Sequence, residues 1–153
     1  MLLNAYMCYI SSNMSERTYA EQLETLFMAL GDKTRLRLLN LMSDGEVCVG
    51  YFTEVLGDSQ PKVSRHLAYL RSAGLVNTRR DGKWIHYSIS WPDDNGPFQI
   101  LRKTLESMQN DPDLQADLAR YSNMHQEPSI ISAEPYVISN YREAHNDLEE
   151  FLL

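Results

Sequence analysis

The run from Ser59 to Gly74, Ser-Gln-Pro-Lys-Val-Ser-Arg-His-Leu-Ala-Tyr-Leu-Arg-Ser-Ala-Gly, constrains this chain more than any other stretch. It combines a helix start, a two-faced middle and a helix stop. Ser59 is placed as the N-cap, and Pro61 falls in the first turn, where a missing N–H costs nothing. Gly74 supplies the stop. On a 3.6-residue wheel Val63, Leu67 and Leu70 recur at i, i+4 and i+7 and must face a core. Lys62, Ser64, Arg65, Tyr69 and Ser72 then point the other way, so the outer face carries donors and no acid. His66 falls on the flank, the position of a packed, hydrogen-bonded histidine more often than of a ligand.

Two strand-like runs follow, Leu75 to Arg80 and Lys83 to Ile89, joined at Asp81-Gly82, a dipeptide typical of two-residue hairpins. Arg79, Arg80 and Lys83 crowd the tip, where they repel one another unless a polyanion or solvent takes them up. Trp84 and Tyr87 read as aromatics that pin the hairpin to the body. A basic helix followed by a basic hairpin is the order of a winged helix-turn-helix. The expected class is mainly α with a small β-hairpin. The candidate DNA-binding set is Ser59, Gln60, Lys62, Val63, Ser64, Arg65 and Tyr69 on the helix, with Arg79, Arg80 and Lys83 on the wing. Arg65 suits a bidentate grip on guanine and Gln60 one on adenine, while the wing cations suit phosphate or a minor groove.

Upstream, Tyr19, Leu23, Leu26, Phe27 and Leu30 make a helical stripe over about 17–30, ended by Gly31, and Asp32 caps a second helix to about Met42. Val47 to Leu56 reads as a short third helix, which Gly57-Asp58 turns into the basic one. Beyond the hairpin, Trp91-Pro-Asp-Asp-Asn-Gly-Pro97 is a turn-rich break. Phe98, Leu101, Leu105 and Met108 then mark a helix to about Gln109. Asp111-Pro112-Asp113 caps another, with Leu114, Leu118 and Tyr121 on one side, and Pro135 opens a last one carrying Val137, Tyr141, Leu148 and Leu152. The division this predicts is an arm at 1–15, expected to be disordered, a DNA-binding and dimerisation domain at 16–109, and an acidic helical C-terminal extension at 110–153. Residues 123–134 read as a mobile linker, and Met14 before Ser-Glu-Arg as a natural start, with 1–13 a misassigned or disordered leader.

A net charge of −7 argues against a DNA binder until it is divided along the chain. Residues 32–88 hold nine Lys and Arg against six Asp and Glu, a balance of +3, whereas 89–153 hold four against twelve, or −8. Residues 1–31 carry −2. The segregation, not the total, bears on function. A hydrophobic fraction of 43% over 153 residues supports one core and an interface. No apolar run is long enough to span a membrane and the N-terminus lacks a signal-peptide pattern, so a cytoplasmic protein is expected. Two cysteines, Cys8 and Cys48, suit a reducing compartment better than a disulfide scaffold. No phosphate loop, nucleophile elbow or zinc-hydrolase motif points to an enzyme.

Three segments together, Phe27-Met-Ala-Leu-Gly-Asp-Lys-Thr-Arg-Leu-Arg-Leu-Leu39, Ser59 to Leu75, and Asp81-Gly-Lys-Trp-Ile-His-Tyr87, resemble the ArsR-type metalloregulatory repressors over about residues 16–109. The resemblance implies a homodimer, paired through terminal helices that include the one at Phe98–Gln109. It also implies a repressor that sits on an imperfect palindrome of double-stranded DNA and leaves it when an inducer binds. Arsenic-sensing relatives carry Cys-Val-Cys at the start of the third helix, where two thiolates and a third soft ligand hold a trivalent metalloid. Here the residues are Cys48-Val49-Gly50, so the second thiolate is missing, and Cys8 from the arm is the remaining thiol. A small buried hydrophobe is the plainer reading of Cys48. The family's other sensory site, on the paired helices, lacks a histidine between Phe98 and Gln109. His125 with Glu127 and His145 with Asp147 are acidic pairs for which a hydrated face is the simpler reading. No cofactor is required for the fold, and an organic ligand or thiol oxidation remains open as inducer. The alternative function is a winged-helix docking module that binds a partner protein through its acidic C-terminal helices.

Overall fold

The computed structural model describes residues 17–126, with the side chains of the last two left out. Six helices and three strands run in the order α1 Tyr19–Leu30, α2 Lys33–Leu41, β1 Val47–Cys48, α3 Val49–Leu56, α4 Gln60–Ser72, β2 Val76–Asp81, β3 Trp84–Ile89, α5 Asn95–Met108 and α6 Pro112–Gln126. The mainly helical class with its hairpin holds. Residues 123–126, expected to open a mobile linker, instead complete α6. The leader, Cys8, the rest of that linker with Glu127, the Pro135 helix and the His145–Asp147 pair lie outside the described residues, as does the side chain of His125.

Local chemistry accounts for the helix ends. Thr18 and Glu21 form a capping box on α1: the Thr18 hydroxyl accepts from the Glu21 N–H at 3.3 Å, and Glu21 accepts from the Thr18 N–H at 2.6 Å. Asp32 caps α2 by accepting from the Arg35 N–H at 2.9 Å, and Asp111 caps α6 by accepting from the Asp113 and Leu114 N–H groups at 3.0 Å. At the end of α4 the Leu75 N–H reaches the Leu70 carbonyl and the Gly74 N–H reaches Arg71, the paired bonds of a Schellman stop. Gly74 sits there at φ 76°, a left-handed conformation that a β-carbon disfavours.

Val63, Leu67 and Leu70 of α4 are wholly buried against Leu38 and Leu39 of α2, Phe52 of α3 and Leu101 of α5 in one cluster. Each leucine there contributes about 2 kcal/mol of hydrophobic stabilisation. Burial overturns one proposed contact: Val63 is 0% exposed, so it belongs to the core and cannot touch a nucleic acid. It lies on the same stripe as Leu67, four residues on, and that stripe is turned inward. The α1 stripe also differs from expectation. Leu26, Ala29 and Leu30 are buried, but Tyr19, Phe27 and Met28 are more than half exposed.

The sheet is three-stranded and antiparallel in the order β1-β3-β2. Val47 and Cys48 were expected to open the third helix; instead they pair with Tyr87 and His86, and the helix begins at Val49. Two apolar residues before a helix carry no periodicity that separates the two outcomes. The hairpin turn is displaced by one residue as well. Asp81 pairs with Trp84, so the loop residues are Gly82 and Lys83, and only Gly82 has positive φ, at 58°. One positive φ at the first loop position is the pattern of a type II′ turn, not of the type I′ turn that Asp-Gly would make.

The segment after α5 is not a free appendage. Helix α6 lies mainly against α2 and α3 of its own chain. Leu114 joins the core, the ring of Tyr121 meets Tyr51 edge-on at 5.4 Å, and the Asn40 amide donates to the Leu114 carbonyl at 3.2 Å.

Candidate nucleic-acid interface

The cap, stop and inner stripe of α4 leave one face of that helix outward. Ser59 adopts the extended N-cap conformation, but its hydroxyl makes no capping bond, which leaves that donor and acceptor at the open end of the helix. Gln60 and Ser64 are half-exposed and Arg65 is exposed. Arg65 makes no ion pair with any described residue, so its guanidinium fork is presented unspent. Lys62 differs: its ammonium lies 2.8 Å from the carboxylate of Asp58, in the turn one step before the helix.

Tyr69 turns away from this face. The Arg35 guanidinium stacks 4.2 Å over the Tyr69 ring while donating to the carbonyls of Ala29 and Met28, each at 2.7 Å. Arg35 therefore ties the end of α1 to the flank of α4. Beside it, the Nδ1 of His66 lies 3.4 Å from Asp32. Burial pushes His66 below the ordinary imidazole range despite that carboxylate, which favours the uncharged, packed form. That matches its expected structural role.

On the wing the three cations part company. Arg80 is exposed and donates to the Gly82 carbonyl at 2.9 Å, and the Lys83 ammonium lies 5.7 Å from the Trp84 ring centre. Arg79, by contrast, is gripped by Glu46, with guanidinium-to-carboxylate distances of 2.6, 3.0 and 3.2 Å, and Asp81 approaches to 3.5 Å. The Arg79 hydrogen bond holds Glu46 below the usual carboxylate range. Glu46, Asp58 and Asp32, the acids that face the basic elements, were absent from the sequence-based set. Charge crowding at the wing tip was the one available signal, since it calls for an anion without saying whether that anion is internal.

Tyr87 is buried and meets Phe52 edge-on at 6.1 Å, so it pins the wing as expected. Cys48 is also buried, opposite His86 in the sheet, and burial pushes its thiol upward, away from the thiolate that binds soft metals. Gly50 offers no donor, although a β-carbon there would meet nothing within 4 Å. No group of three or more His, Cys, Asp or Glu among the described residues is placed to hold a metal ion. The described residues therefore do not fit a metalloid centre. Among the described residues, no helix is long and apolar enough to cross a membrane.

A helical core that presents one cationic helix outward beside a three-stranded wing defines a winged helix-turn-helix regulator. Residues 32–78 match the family described as bacterial regulatory protein, arsR family. The arsenic resistance transcriptional regulator ArsR2 of Pseudomonas putida is 38% identical over 104 residues, which cover 67% of this chain and 89% of that protein. The chain belongs to the arsR family. The arsenical resistance operon repressor of Escherichia coli is 52% identical over 66 residues, 42% of this chain, and the chain spans only 56% of that repressor's length. Among solved structures, HlyU from Vibrio cholerae superposes with a TM-score of 0.53 at 28% identity, covering 60% of this chain and 96% of HlyU. These relatives are transcriptional regulators, not enzymes.

Proposed function

We propose that this chain is a sequence-specific regulator of transcription that binds duplex DNA as a homodimeric repressor. The observation that carries the reading is the split of α4: an inner stripe buried completely, and an outer face on which the side chains of Ser59, Gln60, Ser64 and Arg65 show no hydrogen bond or ion pair to a described residue. Helix α3 crosses the backbone, α4 enters the major groove, and Arg80 and Lys83 hold phosphate. Lys62 and Arg79 join them by exchanging Asp58 and Glu46 for phosphate, and Tyr69 acts at second hand, through Arg35. Exposed Tyr19, Phe27 and Met28 on α1, with exposed Trp91 tilted against Phe98 at the start of α5, support a face through which two copies pair. Two such copies place their reading helices one duplex turn apart on an imperfect palindrome, in the cytoplasm.

An inducer shifts the placement of the two halves and releases the operator. The described residues supply one thiol, Cys48, so a thiolate-bound metal or metalloid inducer requires Cys8 of the arm or a second chain. The docking-module alternative is weakened by α6, which spends its apolar side on its own core. Fluorescence anisotropy on duplex from the protein's own promoter, against scrambled duplex, tests the reading at two salt concentrations with and without arsenite and zinc. Preference for the promoter supports a repressor, and equal binding or none overturns it. Release by arsenite would bring Cys8 to Cys48, and indifference to both ions would remove the metal and keep the regulator.

A further inference from the structure

Glu46 stands where local sequence gives no cause to expect it. It precedes β1, and the pairing of Cys48 with His86 and of His86 with Arg79 lines these residues up across one face of the sheet. Residues two apart share a face, which brings Glu46 alongside Arg79, on the side opposite buried Tyr87. His86 completes the group, its Nδ1 3.6 Å from Glu46. The carboxylate occupies the same planar donor fork that a phosphate would take. Both partners remain open to water, the Arg79 side chain 54% exposed and that of Glu46 33%, so the pair exchanges readily. Of three cations at the wing, Arg79 alone is neutralised in this way, while Arg80 and Lys83 make no ion pair with a described residue.

We propose that Glu46 is an internal competitor for phosphate at Arg79, and that it sets how strongly the wing grips any duplex. The inference rests on the DNA-binding reading above. Off DNA, Glu46 satisfies Arg79. On DNA, either phosphate must displace that carboxylate or Glu46 stays and repels the backbone. In both cases the cost falls alike on every sequence, because phosphate contacts carry no sequence information. Glu46 thus acts on DNA through Arg79, as a positioning residue that holds down the sequence-independent part of affinity.

The test uses the full chain, promoter and scrambled duplexes, and a salt series, with Glu46→Gln, Arg79→Ala and the double variant. Glu46→Gln is expected to tighten binding to both duplexes by a similar factor, about threefold or more; the log-log salt slope steepens by about 0.9 per protomer if Glu46 stays on Arg79 in the wild-type complex, and stays the same if phosphate displaces it. In the Arg79→Ala background the same change is expected to alter neither quantity. Weaker binding by Glu46→Gln overturns the proposal, because it means that Glu46 braces the wing, and so does an unchanged affinity for both duplexes. If Arg80→Ala and Lys83→Ala weaken binding while Glu46→Gln does not strengthen it, DNA binding stands and the competitor falls. If the wild-type protein retains neither duplex, both fall together.

Discussion

Two arginine forks in this molecule hold carboxylates with nearly the same geometry and opposite consequences. Arg37 of α2 grips Asp117 of α6 at 2.7 and 2.9 Å, across 80 residues of chain, and Arg79 grips Glu46 across 33 residues. The Asp117 side chain is 1% exposed and that of Arg37 19%, whereas the wing pair is open to solvent. Asp117 also accepts from Arg120 at 2.8 Å, and its hydrogen bond holds Arg37 above the usual guanidinium range. Burial decides what each fork does. With water largely excluded, Arg37 has no solvent or mobile anion to exchange Asp117 for, so the pair fixes where α6 docks on α2. With water present, a carboxylate is one of several anions a guanidinium can hold, and the contact is free to be exchanged.

The largest effect expected is from Asp117→Ala, which leaves Arg37 without its partner beneath α6. Unfolding free energy should drop by about 3 kcal/mol, read as a lower urea midpoint with an unchanged slope. Replacing both partners together, Arg37→Met with Asp117→Leu, should recover most of that loss, because the penalty lies in the orphaned charge rather than in the missing attraction. A loss for Asp117→Ala below about 1 kcal/mol, the surface-pair range, would erase the distinction between the two forks.

The forks also mark where sequence reasoning runs out. The buried stripe of α4, its Schellman glycine, the α2 and α6 caps and the basic hairpin are local, so periodicity and capping chemistry reveal them. The outward Ser64 and Arg65 follow from the same wheel, and Gln60 from its place at the helix start. The partners of Arg37 and Arg79 do not, since nothing within one helical turn or one strand points 80 or 33 residues away. The same holds for β1, whose two residues are a strand only because β3 lies beside them. The hairpin turn slipped by one residue because pairing continues through Asp81, leaving Gly82 to take the positive φ. Phe27 misled in another way. Its spacing fits the α1 stripe, but the described chain leaves it uncovered, which is what a residue reserved for a second copy would show.

Between the extremes lies Asp32, half-buried at the start of α2 and facing His66. Burial alone would raise its carboxyl, but the Arg35 N–H, His66, the Arg35 charge and the Thr34 N–H outweigh it and hold the group below its ordinary value. Asp32→Ala should therefore cost about 1 kcal/mol at neutral pH, as a lost N-cap does. A carboxyl lowered on folding stabilises above its unfolded value of about 3.9, so the gap between wild type and variant should narrow as pH falls through the folded value. His66 acts earlier in the same direction. Burial disfavours its charged form, so below about 6.5 the unfolded chain takes up a proton that the folded chain resists, and stability declines on acidification. His66→Gln should flatten the stability profile between roughly pH 5 and 7. An unaltered profile would mean that other groups carry the acid sensitivity.

The smallest effect on stability belongs to the wing. Glu46→Gln should leave the urea midpoint where it is, because both side chains are hydrated with or without the contact and water and salt replace what the pair loses. Salt makes the contrast sharpest. Raising ionic strength to about 1 M shortens the screening length to about 3 Å, which silences an exposed pair and leaves a buried one nearly intact. Asp117→Ala should thus stay destabilised at high salt, while any small difference shown by Glu46→Gln at low salt disappears. A Glu46→Gln protein that is destabilised at both salt concentrations would show the wing fork to be structural. Arg79 would then be committed to holding the hairpin on the body, and the DNA-facing charge of the wing would reduce to Arg80 and Lys83.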